Sequence, residues 1–376
     1  MSSNIKYHVV QAQNSAASYE ELDTVSFLIE ADGRKMLKNS IRIEGNVVVE
    51  KATATAVTAA DDVRVNNMIG AHSLFEAWSC ETEKAGNLQA LTNYPRYMNM
   101  VASSSMDSDD LCSSSMLCEL RNPVASGSVA NIEPSVSYND NGSHAVQSED
   151  AFFSIKPLIC FNQSTADYSF SSNGFIRISC NLSRSNHALY GRDVSATANY
   201  KLKNLVLKFN SVEDDGKQDK IMMRSYVSIK NTVQSTDTHI SARVPSRAVN
   251  GVSISFLEQA HESNDNLVDS FGLESFEQLD EIQYLFNNSM SNYVTYSLDD
   301  RADMIKKGLE SIVDSGHSQA NGNKLAGNKG FIVGLNFEEY LDLSQQRYSV
   351  QLKTSNAAIS TSPKNVYLFF HELLSL

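Results

Sequence analysis

Short stretches in which apolar and polar residues alternate, recurring in two successive sets, constrain this chain more than any other feature of its sequence. A period of two puts every second side chain on one face, so each stretch reads as a β-strand with one buried side. The first set holds Val25-Ser26-Phe27-Leu28-Ile29, then Ile41-Arg42-Ile43-Glu44 and Val47-Val48-Val49 on either side of Gly45-Asn46. It continues with Phe152-Phe153-Ser154-Ile155-Lys156, Leu158-Ile159-Cys160-Phe161 and Ile176-Arg177-Ile178-Ser179-Cys180-Asn181-Leu182. It ends on Leu205-Val206-Leu207-Lys208-Phe209, whose phase slips against Tyr200 and Leu202 and so predicts a β-bulge.

The second set starts with Tyr226-Val227-Ser228-Ile229 and Val252-Ser253-Ile254-Ser255-Phe256. Phe331-Ile332-Val333, Tyr348-Ser349-Val350-Gln351-Leu352 and Val366-Tyr367-Leu368-Phe369-Phe370 complete it. Many short strands with few helices describe an all-β sandwich or barrel. Between the sets, Ser211 to Asp219 has no apolar residue after Val212 and contains Gly216, which makes it the natural linker. Two long polar regions, Ser103 to Asp150 and Ser315 to Lys329, read as loops. Asp300 to Val313 reads as a helix, with Met304, Ile305, Leu309 and Ile312 on one face.

Composition narrows the function classes. With 41% hydrophobic and 20% charged residues, the chain is globular and not disordered. Its net charge of −13 argues against gripping a phosphate backbone, a task that needs clustered Lys and Arg. Met1 to Lys6 lacks the basic start and apolar run of a secretory signal, and no stretch reaches the length of a membrane helix. Five cysteines (Cys80, Cys112, Cys118, Cys160, Cys180) at irregular spacing suggest reduced, mostly buried thiols in a reducing compartment. The Asn-x-Ser patterns at Asn141, Asn162, Asn181 and Asn287 then read as chance matches.

No motif for chemistry is intact. Gly322 to Lys329 approaches a phosphate loop, but Asn328 stands where the motif needs Lys after the second Gly. The eight histidines (His8, His72, His144, His187, His239, His261, His317, His371) form no pair at metal-ligand spacing. Cys112 and Cys118 lack a second pair for zinc. Asp107, Asp109 and Asp110 lack the Gly and closing Glu of a calcium loop. There is no Gly-x-Ser-x-Gly elbow. No catalytic, cofactor-binding or metal residue is therefore assigned, and no cofactor is expected.

One segment is more specific: Ile69-Gly70-Ala71-His72-Ser73-Leu74-Phe75-Glu76-Ala77-Trp78-Ser79-Cys80, leading through Gly86-Asn87 to Asn93-Tyr94-Pro95-Arg96-Tyr97. It resembles a signature of the double jelly-roll major capsid proteins of DNA viruses, the lineage of adenoviruses, virophages and large nucleocytoplasmic viruses. There, a strand carrying the His-Ser-Leu-Phe pattern runs into a turn, and an aromatic-Pro segment then begins a helix. Further blocks follow in the same order. Phe153 to Gln163 is similar to a middle strand of the first roll, and Tyr200 to Lys208 to its closing strand. Ile240 to Pro245 is similar to a loop paired with the strand Val249 to Phe256, and Val366 to Glu372 to the closing carboxy-terminal strand.

The resemblance implies two jelly-roll β-sandwich domains with short helices and long loops. Residues 1–22 would form an amino-terminal arm, 23–212 the first roll, 213–220 the linker and 221–376 the second roll. It implies a non-enzymatic homotrimer forming a pseudo-hexagonal capsomer of an icosahedral shell. Neighbouring capsomers, penton and minor capsid proteins and an internal membrane would be its partners, without sequence-specific nucleic acid binding. The chain would be made in the host cytoplasm and end in the virion. His72 would be a hydrogen-bonded packing residue at a strand start, and Trp78 core or subunit interface. A carbohydrate-binding or hydrolytic β-sandwich protein and a single-roll minor vertex protein are the alternatives.

Overall fold

The computed structural model describes residues 4–51, 64–66, 69–105, 119–120, 151–190, 198–217, 220–262, 270–274, 278–286, 289–297, 306–308, 310–312, 332–345 and 347–376. The first half carries β1 (Lys6–Gln11), β2 (Thr24–Ile29), β3 (Arg34–Met36), β4 (Arg42–Lys51), β5 (Arg64–Val65), β6 (Phe75–Thr82) and β7 (Gly86–Leu91). Helix α1 (Tyr94–Ser105) follows, then β8 (Ala151–Ile155), β9 (Tyr168–Ser169), β10 (Ile176–Leu182), β11 (Leu189–Tyr190) and β12 (Ala198–Glu213). The second half carries β13 (Met222–Val233), β14 (His239–Arg243), β15 (Val249–Glu258), β16 (Glu281–Phe286) and β17 (Ser289–Ser297). It closes with β18 (Val333–Leu341), β19 (Arg347–Lys353) and β20 (Lys364–Ser375).

Both halves are wound the same way. In the first, β1 pairs with β12, β2 with β10, β4 with β8 and β6 with β7. In the second, β13 pairs with β20, β14 with β19, β15 with β18 and β16 with β17. In each half the outermost strands in sequence pair first and the innermost last, as in a long hairpin rolled on itself. The sheets read β1-β12-β4-β8 over β2-β10-β6-β7, and β13-β20-β15-β18 over β14-β19-β16-β17. Strand for strand these are the same two orders. The chain is a double jelly roll, and β3, β5, β9 and β11 are additions to its first half.

The phase slip in β12 is a real bulge. Its register against β4 shifts between Lys203 and Val206, and Asn204 sits at a φ of +53°. Gly45 lies across from it, where an added Cβ would come within 2.8 Å of Leu205 Cδ2 and 3.2 Å of Phe153 Cζ. The residue that looked like a break between two runs is thus the small residue that lets a ten-residue strand pass the bulge.

Several expectations are corrected. The His72 block is not strand at its start: Gly70–Leu74 is a 3-10 turn, and β6 begins only at Phe75. Gly70 is held at a φ of +52° against the Glu119 carbonyl, a conformation suited to glycine. Leu158-Ile159-Cys160-Phe161 is not a strand, because Pro157 lacks a donor and side chains capture the next N–H groups. Leu158 donates to Tyr94 Oη and Cys160 to Gln89 Oε1, and Cys160–Gln163 turns as a 3-10 helix. The block from Ile240, read as a loop, lies mostly within β14. The segment read as an amino-terminal arm carries β1, zipped along β12, which itself runs to Glu213 inside the segment read as linker. Residues 306–308 and 310–312 are helical, within the helix read at Asp300 to Val313. Residues 315–329, the aspartates at 107, 109 and 110, and Cys112 and Cys118 lie outside the described residues.

The core explains why β20 reads as an apolar run and not as an alternation. Val366, Leu368 and Phe370 point into the second sandwich, whereas Tyr367 and Phe369 join the cluster that fills the first half. The strand is buried on both faces, so neither face can be polar.

Candidate functional site

With no residue assigned a chemical role, the feature the sequence left open is how the halves are joined. Pro95 fixes φ at the first turn of α1, where its missing N–H costs no helical bond. From Tyr94 to Ser103 every residue of α1 is buried, as expected of a helix wedged between two bodies. On its first-half side, Tyr94 Oη lies 2.7 Å from His72 Nδ1 and accepts the Leu158 N–H. The Tyr94 ring meets Trp78 edge-on at 6.0 Å, and Trp78 stacks with Phe75 at 5.1 Å. Trp78 is therefore core, and His72, fully buried, is a hydrogen-bonded packing residue that sits within a 3-10 turn.

On the other side α1 meets the second half. Tyr97 packs on Tyr226 with ring centroids 4.0 Å apart, on Phe369 at 5.2 Å and on His371 at 5.7 Å. Arg96 spreads over the Tyr367 ring at 4.2 Å, and its guanidinium lies 3.5 Å from Glu262. Glu262 also accepts hydrogen bonds from Lys230, Asn365 and Tyr367. Burial works to raise the Glu262 pKa, but Arg96 and these donors outweigh it and hold the carboxyl below its ordinary value. Asn99 donates to the Phe271 carbonyl at 2.7 Å, Gln89 to Ser225 Oγ at 2.7 Å and Asn93 to Ser228 Oγ at 2.6 Å. The seam is thus an aromatic core with a ring of hydrogen-bonded polar groups, in which the buried Tyr226 Oη has no hydrogen-bond partner among the described residues.

Beside it opens a cleft of about 840 Å³, walled by Glu76, Arg184 and His187 of the first half and Lys230, Glu258 and Glu262 of the second. Burial pushes the Glu76 carboxyl up to about 7, against the pull of Arg96, and Glu76 Oε2 makes no hydrogen bond among the described residues. Burial, aided by Arg96, lowers His187. A Ser-His pair also exists, Ser253 Oγ lying 2.9 Å from His371 Nε2, but at 0% and 2% exposure it has no room for a substrate. Cys80, Cys160 and Cys180 are buried free thiols, and burial raises the pKa of Cys80 and Cys180. The seam was missed in the sequence because its partners lie more than a hundred residues apart; its one local signal was the Tyr-Pro-Arg-Tyr run.

No protein-family model matches the chain, and no curated protein sequence does. Solved structures do. The Vp54 protein of PBCV-1, as fitted into a reconstruction of the virophage Sputnik, aligns over 100% of this chain and 95% of its own, with 10% identity and a TM-score of 0.61. The Faustovirus major capsid protein aligns over 99% and 90%, with 10% identity and a TM-score of 0.61. The mavirus major capsid protein aligns over 98% and 87%, with 8% identity and a TM-score of 0.55. At such identities the likeness is one of fold, and it covers both halves of the chain.

Proposed function

We propose that this double jelly roll is the major subunit of an icosahedral viral shell, three copies closing into a pseudo-hexagonal capsomer. One observation carries the reading: two halves with the same strand order, locked by a buried helix, give one chain two similar wedges. Three chains then supply six, which suits a trimer to a six-coordinated lattice position. Closure around a threefold axis makes each contact heterologous, with different patches meeting. Rolling each half leaves few open strand edges, which favours a shell protein that must not aggregate before assembly. The likeness to two major capsid proteins over nearly the whole chain supports the same reading.

In this reading residues up to Glu213 build the first wedge and those from about Met222 the second, joined by the turn around Gly216. The partners are further capsomers, penton and minor capsid proteins, and the layer beneath the shell. The acidic surface coats a genome without reading its sequence. The subunit is made in the host cytoplasm, ends in the virion and catalyses no reaction. A single-roll vertex protein is disfavoured by the second complete roll. A glycan-binding or hydrolytic sandwich is disfavoured by the burial of the only tryptophan, since sugars stack on exposed aromatic platforms. Electron micrographs of the recombinant protein at high concentration test the proposal. Hexagonally packed trimeric capsomers are expected; dispersed single-chain particles would contradict it.

A further inference from the structure

We propose that Glu258, His261 and Glu274 form a zinc site at the end of β15, beside the seam. Glu258 is the last residue of β15, and the turn Gln259–Glu262 brings His261 back over it at i+3 spacing. Glu274 arrives from the next described segment through a bridge to Phe256, and its carboxylate accepts the Glu258 N–H at 2.7 Å. Backbone thus fixes the root of each side chain. The three donor atoms lie within 4.8 Å of one another. His261 Nε2 is 3.9 Å from Glu258 Oε2, a gap that an ion with bonds of about 2.0–2.2 Å to each can span. On the other ring nitrogen, His261 Nδ1 bonds the Glu274 carboxylate. That contact orients the imidazole toward an ion on Nε2, with Glu274 as the outer-shell carboxylate on the opposite ring nitrogen.

The chemistry of the donors selects the ion. An imidazole with a carboxylate suits a borderline divalent ion such as zinc, whereas calcium and magnesium prefer oxygen alone. The three side chains are 24–29% exposed, which leaves an open side for entry and for a water ligand. Lys364, buried in β20, stands 3.8 Å from Glu258 Oε2 and 3.7 Å from Glu274 Oε2. Its ammonium balances the carboxylates in the metal-free state and competes with an ion for them. A bound ion would tie the segment carrying Phe271 and Glu274 to β15, four residues from the Glu262 that anchors Arg96. The spacing of Glu258 and His261 alone did not mark a site, because the carboxylate that orients the imidazole comes from beyond the turn.

The test is titration of the full untagged chain with zinc at neutral pH by calorimetry, independent of whether the protein builds a shell. One zinc per chain is expected, with affinity falling at least roughly 10- to 100-fold in His261→Ala and in Glu274→Gln. Lys364→Met should bind more tightly than the parent, the outcome a nonspecific surface site would not give. Circular dichroism checks that each variant folds, and His261→Asn replaces the alanine variant if that one does not. Absence of zinc binding, or binding indifferent to both His261 and Glu274 changes, would overturn the site.

Discussion

The Tyr94 hydroxyl shows how much of this fold can rest on one atom. It meets His72 and the Leu158 N–H at once, and its pair with His72 is fully buried. Tyr94→Phe keeps the ring packing and strands both partners, so chemical denaturation should show a loss of about 1–3 kcal/mol. Gly70 is harder to replace. An alanine there would be held at positive φ with its Cβ 2.1 Å from the Glu119 carbonyl, and the turn would have to move. Gly70→Ala should cost more than Tyr94→Phe in the same assay. Glu76 makes a prediction with a sign. Its native pKa of about 7 lies above the ordinary carboxyl value of 4.5, so the folded state holds the proton more tightly. The stability it contributes is present below about pH 4.5 and is lost as pH rises through 7. Glu76→Gln should therefore match the parent's melting temperature at pH 4 and exceed it at pH 8; a difference that stays constant with pH would refute the assignment.

At the scale of elements, what the sequence revealed followed from which faces are wet. Strands with one polar face, such as β2 and β10, show clean alternation and were read almost to their ends. The bulge in β12 was legible because it breaks that phase. Among the strands missed were β1, which presents Tyr7 and Val9 to solvent on a sheet edge, and β16 and β17, which have no strong alternation. The false strand after Pro157 was apolar enough, but its N–H groups are taken by Gln89 and Tyr94, partners no local pattern reveals. The onset of α1 was visible in Asn93-Tyr94-Pro95; its role as a bolt was not, because Arg96 and Tyr97 find their partners in β13, β20 and the segment after β15. Tyr97→Ala should cost roughly 3–5 kcal/mol, as for other buried aromatics. Since the loss falls on the seam, calorimetry should show the single endotherm of the parent split into two. A variant that merely melts lower in one step would place Tyr97 in the first core alone.

For the molecule as a whole, the core of the first sandwich runs from Phe75 and Trp78 through α1 to Tyr367 and Phe369 of the second, which keeps a separate core of its own behind them. Such a joint fits the proposed lattice subunit, which would have to present two wedges at a fixed angle. The repeated strand order gives the two rolls their likeness, and the seam joins them. The proposed capsomer further requires threefold closure. Native mass spectrometry of the purified chain tests it directly. A stable species of three times the chain mass, holding at low micromolar concentration, is the result predicted; a persistent monomer would contradict the shell-forming role.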